Sequence, residues 1–247
     1  MVLSFKSKHE IKEKYLASTY DWLNMKNIPK SAEEITKELF NPIRTYIPSD
    51  CVLENYEEFP SKLGLPDWLG NLLFTINHHN SIDFSGFGEN YEEYFYPAFL
   101  KSCHVGVDYS LMFHKWELMI LTDMIPKQER DEKYFHDLIK LHKNALDGKE
   151  LESNKWNELQ AEIDNHLQEI EARTITWNSG RTAFLSIENH INKQDPYTTS
   201  SEAIVDALIA EYINKNTEHD NKSKEEFRKN IWFELMQKLV IMLNEWK

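Results

Sequence analysis

The sequence predicts an all-α protein, an irregular multi-helix bundle of about eight to ten helices. Three observations predict it. Apolar residues recur at three-, four- and seven-residue intervals over most of the chain, the repeat of a helix with one buried face. Glycine (7) and proline (8) are scarce in 247 residues, which leaves little turn-forming material. No Asn-Gly or Asp-Gly pair stands between two alternating runs, as a hairpin would require; Asp147-Gly148 lies between helical patterns instead.

The elements follow in order. From His9 to Lys26, Ile11, Tyr15, Tyr20, Trp22 and Leu23 stand among charges, which suits a surface helix. Ser31 and Glu34 have capping-box spacing, the hydroxyl taking a free backbone N–H while the carboxylate reaches back. Pro42 kinks that helix, Pro48 ends it, and Pro48 to Pro66 is a connector. A helix from Pro66 turns Trp68, Leu69, Leu72, Leu73 and Ile76 inward, and Gly86 and Gly88 mark the loop that follows. Helices are then expected over Asn90–Lys101, over Tyr109–Asp123, and from Pro126 to Leu146, closed by Asp147-Gly148. Trp156, Leu159, Ile163, Leu167, Ile170 and Trp177 line a long helix from Ser153, which Gly180 breaks and Thr182 resumes. Ser200 or Ser201 caps the next helix. A second capping box, Ser223 with Glu226, opens the last, whose stripe is Phe227, Ile231, Leu235, Leu239 and Leu243.

Hydrophobic residues are 41% of the chain and aromatics 13%, ample for a packed core, because each buried aromatic removes roughly 150–250 Å² from water. The expectation is one domain over 1–247, with 1–50 as an N-terminal helical extension. The formal charge is −13, from 41 acidic and 28 basic residues. Binding to nucleic acid draws on Lys and Arg that neutralise phosphates, so this balance argues against it; it suits a solvated acidic surface, or a basic protein partner held electrostatically. Cys51 and Cys103 stand far apart without CxxC spacing, which indicates neither a disulfide framework nor a thiolate metal site. No apolar run approaches the ~20 residues of a membrane span, and the opening residues do not read as a signal peptide. A cytoplasmic, reducing home is expected.

The stretch YFYPAFLKSCHVGVDYSLMFHKWELMI, from Tyr94 to Ile120, poses the main functional question. Cys103, His104, Asp108 and His114 are the residue types of a thiol nucleophile, its base and an orienting acid. Yet neighbours on a helix diverge by ~100°, so Cys103 and His104 do not face one another. The alternative is a joint between two helices: Gly106 gives the turn, Asp108 caps the helix that follows, and Cys103 behaves as a small buried hydrophobe. The joint is the better reading.

The segments Pro66-Asp67-Trp68-Leu69, Tyr96-Pro97-Ala98-Phe99-Leu100 and Val105-Gly106-Val107-Asp108-Tyr109-Ser110-Leu111, with the ending Glu234-Leu235-Met236-Gln237-Lys238-Leu239, resemble an uncharacterised bacterial all-helical family. Its members carry WP-x-x-FL followed by VGADLS-like text. The resemblance spans about half the chain and departs from the family's alanine-rich middle. It implies an all-helical fold and brings no activity, cofactor or catalytic residue.

Other constellations are weaker. His78 and His79 precede a loop bearing Asp83, Glu89, Glu92 and Glu93, but adjacent histidines diverge on a helix. Glu132 with His136 and Glu162 with His166 have four-residue spacing, whereas di-iron bundles use Glu-x-x-His; exposed ion pairs fit better, and no metal or other cofactor is expected. Trp177, Ser179 and Arg181 around Gly180 could form a small anion pocket where a helix restarts, but phosphate loops carry more glycines and a packed break in the helix fits better. The repeated acidic-aromatic text places Glu54, Tyr56, Glu57 and Glu58 in one copy, and Glu89, Tyr91, Glu92 and Glu93 in the other. Such text is ordinary at two helix starts, and on a surface it suits engagement of a basic partner.

The expected function is therefore a cytosolic acidic helical binding module, such as an immunity or inhibitor protein. The alternative is a metal- or small-ligand-binding helical enzyme whose inter-helix pocket draws on His78, His79, His114 and Asp108. No catalytic residue is assigned.

Overall fold

The computed structural model describes residues 3–25, 63–78, 95–127, 130–149, 153–171, 179–191, 199–215 and 221–247. Among them the fold is all-α, with no strand. The helices are α1 (His9–Met25), α2 (Asp67–His78), α3 (Phe95–Ser102), α4 (Met112–Met119), α5 (Lys133–Leu146), α6 (Ser153–Glu171), α7 (Ser179–Ile191), α8 (Ser200–Lys215) and α9 (Asn221–Glu245). A short π-helical segment, Ile120–Met124, extends α4. No described helix is long and apolar enough to cross a membrane. The Ser31–Glu34 capping box, Pro42, Pro48 and the Gly86/Gly88 loop lie outside the described residues.

The chain divides into two compact units. The first comprises Met1–Ser110 and Lys229–Lys247, and the second Leu111–Arg228, so α9 contributes its opening turns to the second unit and the rest to the first.

In the first unit, the expected inner face of α2 is the buried one: Trp68, Leu69, Leu72, Leu73 and Ile76 are all buried. So are Ile231, Leu235, Leu239 and Leu243 of α9, joined by Trp232, Met236 and Met242. Phe227 and Trp246 are half-buried rather than central. The joint after α3 is held by the chain's first described residues. The Ser4 N–H donates to Val107 O at 3.0 Å, the Gly106 N–H to Ser4 O at 3.0 Å, and the Val107 N–H to Ser4 Oγ at 3.1 Å. The Ser4 hydroxyl in turn donates to His104 O.

Phe5, Lys6 and Ser7 take φ of 50°, 50° and 59°, a left-handed turn built from non-glycine residues. Such a turn costs about 1–2 kcal/mol per residue. Complete burial of Phe5 returns roughly 1.5–3 kcal/mol, and the hydrogen bonds at Ser4 offset the remainder. Gly64 closes against this turn at φ +65°, with Leu3 O only 2.2 Å from where a Cβ would stand. Lys12 Nζ donates to Lys101 O at 2.8 Å and to Cys103 O at 2.7 Å, placing a cation on carbonyls that the end of α3 leaves free.

In the second unit, α5 packs on α4 and α6, and α7 packs on α6 and α8. Trp156, Leu159, Ile163 and Leu167 are buried along α6, as their spacing requires. Arg228 pairs with Asp206 at 2.9 Å, and the Tyr212 and Phe227 rings stack at 4.2 Å, which seats the start of α9 against α8.

α5 ends as expected. The Gly148 N–H donates to Ala145 O at 3.1 Å and the Lys149 N–H to Asn144 O at 3.0 Å, a Schellman closure with Gly148 at φ +67°. Nothing lies within 4 Å of a Cβ added there, so Gly148→Ala should cost only the left-handed strain, about 1 kcal/mol by urea denaturation, and Gly148→Asn less.

Several helix starts differ from expectation. Pro126 does not open α5; it accepts the Arg130 N–H in a turn, and α5 begins seven residues later at Lys133. α4 begins at Met112, because Asp108 spends its carboxylate on the Ser110 N–H at 2.8 Å rather than capping a helix at Tyr109. α8 is capped by Thr199, whose Oγ1 accepts the Glu202 N–H at 3.2 Å, in place of Ser200 or Ser201. Ser223 lies inside α9, which starts at Asn221, so the second capping box does not form the start.

Candidate functional site

The densest group of titratable side chains among the described residues lies in the second unit, where α4 to α8 meet. On α4, His114 and Glu117 are three residues apart and so share a face. His142 comes from α5, Trp156 from α6, and Ser186 and His190, one turn apart, from α7. Ser200 and Ser201 open α8. All are buried except His190, whose outer edge meets solvent.

The histidines form a chain. His114 Nδ1 and His142 Nδ1 stand 2.9 Å apart, a hydrogen-bond distance that accommodates one proton. His142 Nε2 reaches Ser186 Oγ at 3.0 Å, and Ser186 also lies near the Glu117 carboxyl. The Ser200 hydroxyl donates to Glu117 Oε1 at 2.7 Å, while Glu117 Oε2 is buried without a hydrogen-bond partner. Beside them the Trp116 indole N–H donates to Ser201 Oγ at 3.1 Å. The His190 ring lies 4.2 Å from Trp156 and 5.0 Å from His114, and it stacks on Phe113 at an angle of 11°.

Burial sets the protonation of this group. It lowers His114 to about 4, with the nearby His190 adding to the effect. It holds His142 well below the ordinary imidazole value, helped by His114 and His190. His190 is lowered by burial of its inner edge. Glu117 moves the other way: burial pushes its carboxyl up to about 7, against the hydrogen bonds from Ser200 and Ser186, which favour the charged form.

Chemically, Ser186 beside His142 has the composition of a nucleophile and its base. The arrangement differs from a triad, however. The carboxyl sits on the serine side rather than behind the imidazole, and Ser186 is fully buried. The group can pass and hold protons along His114, His142 and Ser186. Among the described residues no three His, Cys, Asp or Glu side chains are arranged to hold a metal ion. The His114–His142 contact is itself a hydrogen bond, with no space for an ion between the two nitrogens.

The residues singled out from the sequence fall elsewhere or only partly here. Glu54, Tyr56, Glu57, Glu58, Glu89, Tyr91, Glu92 and Glu93 lie outside the described residues, as do His79 and Trp177. Ser179 is the first residue of α7, and the Arg181 guanidinium sits 5.3 Å over the Phe184 ring. His78 ends α2. Glu132 precedes α5 rather than lying on its face, and Glu162 meets Lys133 at 3.4 Å. Cys103 is free and completely buried, and burial pushes its thiol up, against the pull of Lys12. Its neighbour His104 turns to Asn244 O, 2.8 Å from its Nε2. The thiol is thus held in its un-ionised form, and Cys103 fills the core of the joint.

His114 is the one predicted candidate that the cluster uses. Glu117, His142, Ser186 and His190 were not singled out from the sequence. The His-x-x-Glu spacing on α4 and the Ser-x-x-x-His spacing on α7 are the local signals that carry them.

Compared with known proteins, the chain matches no family model, no curated protein and no solved structure. Its likeness to the bacterial helical family therefore rests on the quoted motifs alone.

Proposed function

We propose that this chain is an acidic α-helical binding module that neutralises a basic protein partner, as an immunity or inhibitor protein does. The charge carries the reading. An excess of 13 negative charges over 247 residues raises the local concentration of a basic partner and speeds its approach. The acidic-aromatic segments around Tyr56 and Tyr91 supply contact residues of the favoured type. A cytoplasmic setting suits the module, since it keeps the free Cys103 reduced.

The test is capture from the native host, followed by reconstitution with the purified partner. The expected partner is basic, and its affinity falls steadily as salt rises. Glu89→Lys, Glu92→Lys and Glu93→Lys together should abolish capture while leaving the circular dichroism spectrum unchanged. Binding indifferent to salt and to these reversals, or no partner under gentle conditions, would overturn the reading.

A second reading, a small-ligand-binding helical enzyme, is favoured by one observation: three imidazoles and a carboxyl gather where α4, α5 and α7 meet. A ligand-dependent rise in melting temperature would select it over the first.

A further inference from the structure

We propose that the His114–His142 contact is a proton-operated latch between α4 and α5, closed while one of the two rings keeps its Nδ1 bare and opened when both rings are protonated. The inference is independent of the binding role above and follows from the geometry of the contact. The two Nδ1 atoms stand 2.9 Å apart, so one of them donates and the other accepts through a bare nitrogen. The first extra proton can settle on an outer Nε2 and leaves this bond intact. Once both rings are charged, each Nδ1 carries a hydrogen. Two N–H groups would then point at each other across a hydrogen-bond distance, and the rings must separate.

The groups facing the pair act in a definite sense. From α7, His190 stands 5.0 Å from the His114 ring, so a proton there adds repulsion. From α4, Glu117 lies near Ser186 and, with its carboxyl pushed up to about 7 by burial, is neutral where the latch opens. From α6 the facing side chain is the uncharged Trp156, 5.0 Å from the His142 ring. α8 contributes the Ser200 hydroxyl, which is spent on Glu117. Burial opposes the opening proton, so the latch stays shut through neutral pH and yields in acid.

Opening would release α5 from α4 and expose the Trp156 face of the second unit. Hydrogen exchange read by mass spectrometry on the full chain, corrected for intrinsic rates, tests this at about pH 7.5 and about pH 3.5. Peptides from α4 and α5 should lose roughly tenfold protection in acid, while α2 of the first unit keeps its own. His142→Asn, whose Oδ1 can accept from His114 without titrating, should abolish the acid loss. Imidazole ¹⁵N spectra of the unmodified protein should show one bare Nδ1 in the pair at the higher pH, which tests the latch even if that variant does not fold. Equal protection at both pH values, uniform loss across both units, acid opening unchanged in His142→Asn, or a hydrogen on both Nδ1 atoms at pH 7.5 would each overturn it.

Discussion

Gly64→Ala is expected to destabilise the protein by about 3 kcal/mol or more, well beyond the effect of the same change at Gly148. Both glycines sit at positive φ, +65° and +67°, so both substitutions carry the same left-handed strain of about 1–2 kcal/mol. They differ in surroundings. A Cβ at residue 148 meets nothing, whereas one at residue 64 would lie 2.2 Å from Leu3 O. That carbonyl has little freedom to retreat, because it accepts the Lys6 N–H at 2.9 Å and the next residue, Ser4, is bonded to His104 and Val107. The methyl group must therefore push the left-handed turn off the joint. Parallel urea titrations of the two variants isolate the clash from the strain. Equal losses at the two positions would mean that the close approach of residues 3 and 64 does not exist in solution.

Glu117→Gln should change stability with opposite weight on the two sides of neutrality. The folded carboxyl titrates near 7 rather than at its ordinary 4.5, so the folded protein holds a proton that the unfolded chain releases. The stability this group contributes is complete below pH 4.5 and is lost as the pH rises through 7. Glutamine keeps an acceptor for the Ser200 hydroxyl and removes the buried charge. The variant should therefore be more stable than the wild type by about 2–3 kcal/mol at pH 8, with little difference near pH 4.5. The histidines slope the other way. His114 and His142 have lowered values, so their contribution is complete above pH 6.5 and is lost as the pH falls, through about 4 for His114. Two imidazoles outweigh one carboxyl where the windows overlap, and removing the carboxyl leaves a steeper acid loss. Thermal melts of the two proteins at pH 5 and pH 8 measure this directly. Curves that stay parallel across that range would mean that the Glu117 carboxyl is not buried as described.

What the sequence shows of this fold is what depends on one helix at a time. The faces of α2, α6 and α9 are legible because a stripe such as Ile231, Leu235, Leu239 and Leu243 needs no knowledge of its partner. Helix starts fail where tertiary bonds compete for the capping group. Asp108 looks like a cap for Tyr109 but closes a tight turn, because Tyr109 itself is drawn into the core, where its hydroxyl accepts the His104 N–H at 2.5 Å. Ser200 and Ser201 look like caps and instead serve Glu117 and Trp116 on another helix. The cluster is less legible still. His114, His142, Ser186 and Glu117 are polar residues on faces that read as apolar, and each bonds a side chain far away in sequence. Charge composition suggests a partner but says nothing of which helices meet.

The division of the chain bears on how it is made. The second unit is one continuous stretch, Leu111–Arg228, while the first joins Met1–Ser110 to Lys229–Lys247. During vectorial synthesis the second unit can collapse on its own as soon as it clears the ribosome. The first unit is complete only once Lys229–Lys247 has emerged. Chaperone contact during translation should therefore concentrate on the residues made first rather than on those made last.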